Sequence, residues 1–198
     1  GFGRANNIGM KIALTEGYDF VFLLNQDAWI DSNTIGKLVE LSQSHPQYGI
    51  FSPVHLTGKG DKPDPGFGHY AQIQQLSQLP ENEILPIPFA NAAFWMLPVS
   101  ALKKLGGFRP LFYHYGEDKD FVNRLTYHNY QVGYSPKVFG NHDREYRPMT
   151  HQGFLRTEYV YHLSEYANIR FHWLKAFGYG VLAPIKKALV ALLKGRTS

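Results

Sequence analysis

The sequence predicts an α/β fold, and three observations carry that prediction. Residues 19–24 and 48–54 are continuous apolar runs, the pattern of strands covered on both faces in a parallel sheet. Segments with apolar residues at helical spacing precede the first run, at Ile8, Ile12 and Ala13, and separate the two runs, up to Leu41. The connections are short, as a βαβ succession requires.

Taken in order, Gly1-Phe-Gly-Arg-Ala-Asn-Asn7 supplies turn formers and an Asn cap, and the spacing predicts a helix over 7–16 that stops at Gly17. The 19–24 strand delivers Asn25, Gln26 and Asp27 at its carboxyl end, where open α/β sheets bind their ligands. Asp31 or Ser32 caps a second helix, and the 48–54 strand follows. Residues 55–68, rich in Gly, Pro, Asp and Lys, read as loop, while 67–85 show no clean period. A strand over 89–97 leads into a short helix from Pro98 to Leu105, with Pro in its first turn and Gly106-Gly107 as its stop. A helix from Glu117 to about His128 and a strand over 131–139, handing off to Gly140-Asn-His142, complete this part. Beyond it an aromatic-rich helical pattern spans 150–177, and after Gly178-Tyr-Gly180 a basic amphipathic helix ends near Lys194. The expected division is an α/β domain over 1–149 and a C-terminal helical extension over 150–198. The chain opens without an initiator Met on a turn running into a helix, so a further segment is expected to precede it.

With 198 residues, 44% of them hydrophobic, the chain is long enough for one sizeable core and too apolar for disorder. A net charge of +4 without dense Lys/Arg runs argues against a nucleic-acid surface and fits an anionic ligand or membrane surface. Cysteine is absent, which excludes disulfides and thiolate metal sites and suits a cytoplasmic setting. The apolar stretch 181–193, broken by Pro184, Lys186 and Lys187, falls short of the roughly 20 residues of a membrane span. It is expected to lie on a membrane without crossing it, and Lys186, Lys187, Lys194 and Arg196 suit contact with anionic lipid.

Glu117-Asp118-Lys119-Asp120 places three carboxylates in the first turn of a helix. The helix dipole favours each by about 0.3–1 kcal/mol, but three exceed what capping needs, and their repulsion calls for a cation. Asp118 is the candidate general base, and His142, which follows a strand and precedes Asp143, offers with that carboxylate a ligand pair for a divalent cation. Gly1-x-Gly3 followed by Asn6 fails the dinucleotide fingerprint. Gly140-Asn-His-Asp143 matches a short metallophosphoesterase signature, yet the Gly-Asp-x-His element such enzymes carry upstream is missing.

Five motifs occur in one order: Gly-Phe-Gly-Arg-Ala-Asn-Asn-Ile-Gly9, Phe-Leu-Leu-Asn-Gln-Asp-Ala28, Leu-Gly-Gly-Phe108, Tyr-Gly-Glu-Asp-Lys-Asp120 with Arg124, and the strand ending at His142. Together they resemble family 2 glycosyltransferases of the GT-A fold, particularly the rhamnosyltransferase-like branch, over residues 1 to about 145. The resemblance implies a GT-A (Rossmann-like) architecture lacking its first, nucleotide-binding βαβ segment. It places Asn25-Gln-Asp27 at the Asp-x-Asp motif, so that Asp27 with His142 would hold Mg²⁺ or Mn²⁺ against the donor diphosphate. Arg4, Asn7 and Asn25 fall near the donor pocket. Glu117 and Asp118 fall on the acidic pair whose second member is the catalytic base. Asn91, Trp95, Tyr115, Asp120 and Arg124 fall around the acceptor cleft.

The implied reaction is an inverting transfer from a nucleotide-diphosphate sugar to a hydroxyl of a saccharide or lipid-linked saccharide. Its implied setting is the cytoplasmic side of a membrane, as in surface-polysaccharide assembly of the cell envelope. The alternative is a non-catalytic carbohydrate-binding or partner module derived from the same fold. The single carboxylate in the donor motif favours that alternative, and the intact acidic cluster favours the enzyme.

Overall fold

A computed structural model describes residues 1–144 and 150–193. Lys194 and Arg196, expected in the basic end, lie outside the described residues. Among the described residues six strands form one mixed sheet: β1 (Phe20–Phe22), β2 (Ala28–Ile30), β3 (Tyr48–Thr57), β4 (Leu85–Ile87), β5 (Met96–Pro98) and β6 (Gln131–His142). The order is β1-β5-β3-β6-β2, with β4 also paired to β6. The parallel β3–β6 pair is its centre, and the other pairings are antiparallel.

Helices cover both faces. On one side α1 (Phe2–Glu16), α4 (Val99–Leu105) and α5 (Glu117–Tyr127) pack over Ile50, Val54, Trp95 and Leu97 through Met10, Leu102, Phe121 and Leu125. On the other side α2 (Thr34–Ser44) sets Leu38 against Phe51, Met96 and Val138. Burying each of these large side chains contributes about 1.5–3 kcal/mol.

The parallel sheet expected around residues 19–24 is corrected here: β1 runs antiparallel to β5 at the sheet edge. Val21 packs on the larger core, and Phe20 and Phe22 pack on the smaller one. The unbroken apolar run therefore reports cover on both faces and carries no information on strand direction. The first helix starts at Phe2, before the expected Asn cap, because the Asn7 side chain bonds to the Phe108 backbone instead. The N-cap of α2 is Asn33, not Asp31 or Ser32. Residues 55–68 are not all loop, since β3 continues to Thr57 and α3 (Pro65–Ala71) follows. Asp64 caps α3, its Oδ1 accepting from the Gly66 and Phe67 N–H groups at 3.0 and 3.1 Å. The strand expected over 89–97 shrinks to β5, though the preceding chain stays tied to residues 23–25 through Leu23 N–H to Trp95 O and Asn25 N–H to Ala93 O.

The C-terminal helices are α6 (His151–Tyr166), α7 (Trp173–Phe177) and α8 (Ala183–Leu193). The Thr150 hydroxyl caps α6 by accepting from the Gly153 N–H at 3.0 Å. Gly178-Tyr-Gly180, expected to break the helix, is absorbed as a π-helical stretch over Gly178–Leu182, which joins α7 to α8. A Cβ on Gly180 would collide with Tyr166, so glycine is what lets this helix approach α6. The result is one helix, Trp173–Leu193, of 21 residues. By length and composition it is long and apolar enough to cross a membrane, which corrects the shorter stretch expected from the sequence.

Candidate active site

The site is built where the carboxyl ends of β1 and β6 meet the N-terminus of α5. After β1 the chain turns at Gln26 and Asp27, closed by Ala28 N–H to Asn25 O at 3.2 Å, and returns as β2. The β2–β6 ladder pairs Ala28 with His142, so Asp27 stands beside the imidazole. Asp27 Oδ1 lies 3.3 Å from His142 Nε2, and Asn25 Nδ2 lies 3.4 Å from the same nitrogen. The fold thus brings Asn25, Asp27 and His142 together across 117 residues of sequence.

Burial pushes the His142 pKa down, helped by the Arg144 charge and opposed by Asp27. The imidazole is neutral at neutral pH, so its contact with Asp27 is a hydrogen bond or shared coordination rather than a salt bridge. Among the described residues no group of three or more His, Asp or Glu side chains converges on one point. Asp27 and His142 form a two-donor half-site, with the buried Nδ1 of His142 left without a partner. One carboxylate and one neutral imidazole are donors that a divalent cation accepts, and such an ion would take its remaining ligands from substrate phosphates and water.

The second component is the first turn of α5. Tyr115 (φ 71°) and Gly116 (φ 87°) both take the left-handed conformation, turning the chain sharply into the helix. Phe112 and Val160 crowd the space a Cβ on Gly116 would need, so the position requires glycine on two counts. Glu117 is buried, its Oε2 has no hydrogen-bond partner, and desolvation raises its pKa. Asp118 is half-buried, and its Oδ1 accepts from the Lys119 N–H at 2.8 Å. Desolvation, with the Glu117 charge adding to it, pushes the Asp118 pKa up to about 6.

These components line two adjoining cavities that have Asn25, His114, Tyr115 and Arg144 in common. A recess of about 160 Å³ is lined by Asn25, Asn91, Tyr115, Glu117, Asp118 and Arg144, among others. It opens beside a cleft of about 960 Å³ whose lining includes Asn25, Asp27, Trp29, Tyr115, His142 and Arg144. Asn91 belongs to the recess wall, where its Oδ1 accepts from the Ala93 N–H at 3.3 Å.

Five expected site residues are placed elsewhere. Trp95 is fully buried, donating from Nε1 to Ala90 O and packing against Phe108 and Phe121, so it is a core residue and no wall of the acceptor cleft. Asp120 and Arg124 are also turned inward. Arg124 Nε donates to Asp120 Oδ2 at 2.8 Å, and its other nitrogens donate to Leu105 O and Gly107 O. Asn7 spends its amide on Phe108, giving to its carbonyl and accepting from its N–H, both at 2.8 Å. Arg4 lies on the exposed side of α1, and neither Arg4 nor Asn7 lines the cleft. The sequence reading missed Arg144, Trp29 and His114, all cleft-lining. A basic residue two positions past His142 and a Trp two past Asp27 were the available signals.

No protein-family model matches the sequence, and no curated protein matches it. Among solved structures the chain matches the crystal structure of GalNAc-T7 with UDP, GalNAc and Mn²⁺, with a TM-score of 0.57 and 13% identity. The match covers 94% of this chain and 41% of that one, so the chain spans about two fifths of its structural neighbour's length. The fold is the GT-A glycosyltransferase fold.

Proposed function

We propose that the chain transfers a sugar from a nucleotide-diphosphate sugar to a hydroxyl of a saccharide or lipid-linked saccharide acceptor, with inversion, in the manner of family 2 glycosyltransferases. Asp118 carries this reading: a carboxylate with its pKa raised to about 6, lining a recess that shares Asn25, Tyr115 and Arg144 with the Asp27–His142 cleft. A base with that pKa is largely ionised at neutral pH and still binds a proton readily. Asp118 takes the acceptor hydroxyl proton as the oxygen bonds to the anomeric carbon, and the bond from that carbon to the diphosphate oxygen breaks on the opposite side. Asp27 and His142 would hold a Mg²⁺ or Mn²⁺ ion, which supplies positive charge to the departing nucleoside diphosphate. Arg144, on the wall common to recess and cleft, adds a second cation there. The neighbour whose structure holds UDP, GalNAc and Mn²⁺ supports a nucleotide-sugar donor and a metal. The five sequence motifs are the support for family 2. The setting this reading assigns is the cytoplasmic face of a membrane.

The test is transfer by the full-length protein from a panel of nucleotide sugars with Mn²⁺ or Mg²⁺, with the product anomer assigned by NMR. Turnover is expected to stop on chelation, and Asp27→Asn is expected to raise the metal requirement by at least about 10–100-fold, the loss that follows removal of even an outer partner of a ligand. A product that keeps the donor configuration would remove Asp118 from its role. Saccharide binding without turnover of any donor would make the chain a non-catalytic module.

A further inference from the structure

The 21-residue helix Trp173–Leu193 has only 6% of its most apolar window buried. Lys187 points toward α6, where Nζ donates to Glu158 Oε2 at 2.5 Å, and Val181, Pro184, Ala188 and Ala191 line the space between the helices. Leu182, Ile185, Leu189 and Leu192 recur at spacings of three and four on another face, each more than half exposed. Trp173 and Leu174 extend the exposed apolar surface at the start of the helix. A contiguous apolar stripe facing water, rather than single scattered residues, is the kind of surface that binds a partner or a membrane.

Charge identifies the occupant. No Asp or Glu occurs after Glu165, whereas Arg170, Lys175, Lys186, Lys187, Lys194 and Arg196 do. Leucines flanked by lysines with Trp at one end fit the boundary between headgroups and acyl chains of an anionic bilayer. The helix also stays tied to α6 by the Lys187–Glu158 pair and by His162 Nδ1 to Tyr179 O at 2.7 Å. Crossing the bilayer would carry Glu158, Arg156 and Glu165 of α6 toward hydrocarbon, which charged groups resist. Lying in the plane avoids this.

We infer that Trp173–Leu193 seats in the plane of an anionic membrane surface through Leu182, Ile185, Leu189 and Leu192, with Lys186 at its headgroup edge. Arg156, on the same α6, stacks 5.6 Å from the Tyr115 ring at the cleft, so the seat is connected to the site through one helix. The inference rests on surface residues and needs no donor or acceptor, so it stands or falls apart from the transferase reading.

The test is co-sedimentation of the full-length protein with phosphatidylcholine vesicles, with and without phosphatidylglycerol, together with tryptophan fluorescence. Binding is expected for the anionic vesicles, weakening with salt, with a blue shift that disappears in Trp173→Phe while Trp29 and Trp95 remain. The pair Ile185→Glu and Leu189→Glu is expected to weaken binding at least about tenfold with circular dichroism unchanged, and Lys186→Glu by roughly fivefold. Should the double variant misfold, the salt dependence and the Trp173→Phe control decide alone. Three results would each overturn the inference: no vesicle binding, protein that resists alkaline carbonate extraction as a spanning helix does, or a dimer in solution that buries the same leucines.

Discussion

Asp118 and Asp120 stand two residues apart in the first turn of α5, and the fold uses them in opposite ways. Asp120 is 2% exposed, held by Arg124 at 2.8 Å and Arg109 at 3.2 Å, and ties the helix to the turn after α4. Asp118 faces the recess, and among the described residues no Lys or Arg side chain bridges it. Two positions on a helix differ by about 200° of rotation, enough to send one carboxylate into the body and the other into the cleft. The inward charge is neutralised because nothing else can solvate it. The outward charge is left raised and unpaired, as a group that must exchange a proton requires.

Exchanging each carboxylate for its amide tests that contrast most strongly. Asp118→Asn is expected to lower kcat/KM about 10²–10⁴-fold in a transfer assay while the protein folds normally. Asp120→Asn leaves Arg124 buried without its partner and is expected to cost about 3–5 kcal/mol in denaturant unfolding, with kcat/KM largely kept by the molecules that remain folded. Equal loss of activity in both, at matched folded fraction, would break the comparison.

The pH profile sharpens it. If Asp118 acts as base, kcat/KM is expected to rise about tenfold per pH unit below about pH 6 and to level off above it. Stability moves the other way. The folded state holds the Asp118 proton from the ordinary carboxylate value of 3.8 up to about 6, so the stability it lends is present below that window and lost as pH rises through it. Unfolding at pH 5 and pH 8 is expected to differ by about 1 kcal/mol less in Asp118→Asn than in the parent, since about one pH unit of that window lies above pH 5. An unchanged difference would mean that Asp118 titrates normally.

The same helix shows how far the sequence was legible. That Glu117, Asp118 and Asp120 cluster at a helix start could be read directly, whereas the meeting of Asp27 with His142 was legible only through the family resemblance, because it depends on the pairing of β2 with β6. Which carboxylate faces the cleft could not be read, because it depends on where Leu105 and Gly107 place carbonyls for Arg124 to bind. Trp95 failed for a related reason: an aromatic beside a polar segment reads as a cleft wall until Phe108 and Phe121 close over it. Strand direction was hidden as well, because cover on both faces looks alike in parallel and antiparallel strands.

The smallest expected effect concerns the hinge that aims these carboxylates. Tyr115 holds φ at 71°, a conformation that costs a non-glycine residue about 1–2 kcal/mol, directly before Gly116 at 87°. Tyr115→Gly removes that strain. Against it stand the contact with Arg156, worth about 0.5–1 kcal/mol at an exposed site, and the greater freedom glycine gives the unfolded chain, about 0.5–1 kcal/mol. The net expectation is a change within about 1 kcal/mol, or about 2–4 °C in Tm for a chain of this length. If the Tyr115 ring also serves the cleft it lines, KM for the acceptor rises while stability hardly moves. A loss of several kcal/mol would show instead that the ring is a packing element, and the contrast between a body-facing and a cleft-facing side of α5 would then extend one residue less toward its N-terminus.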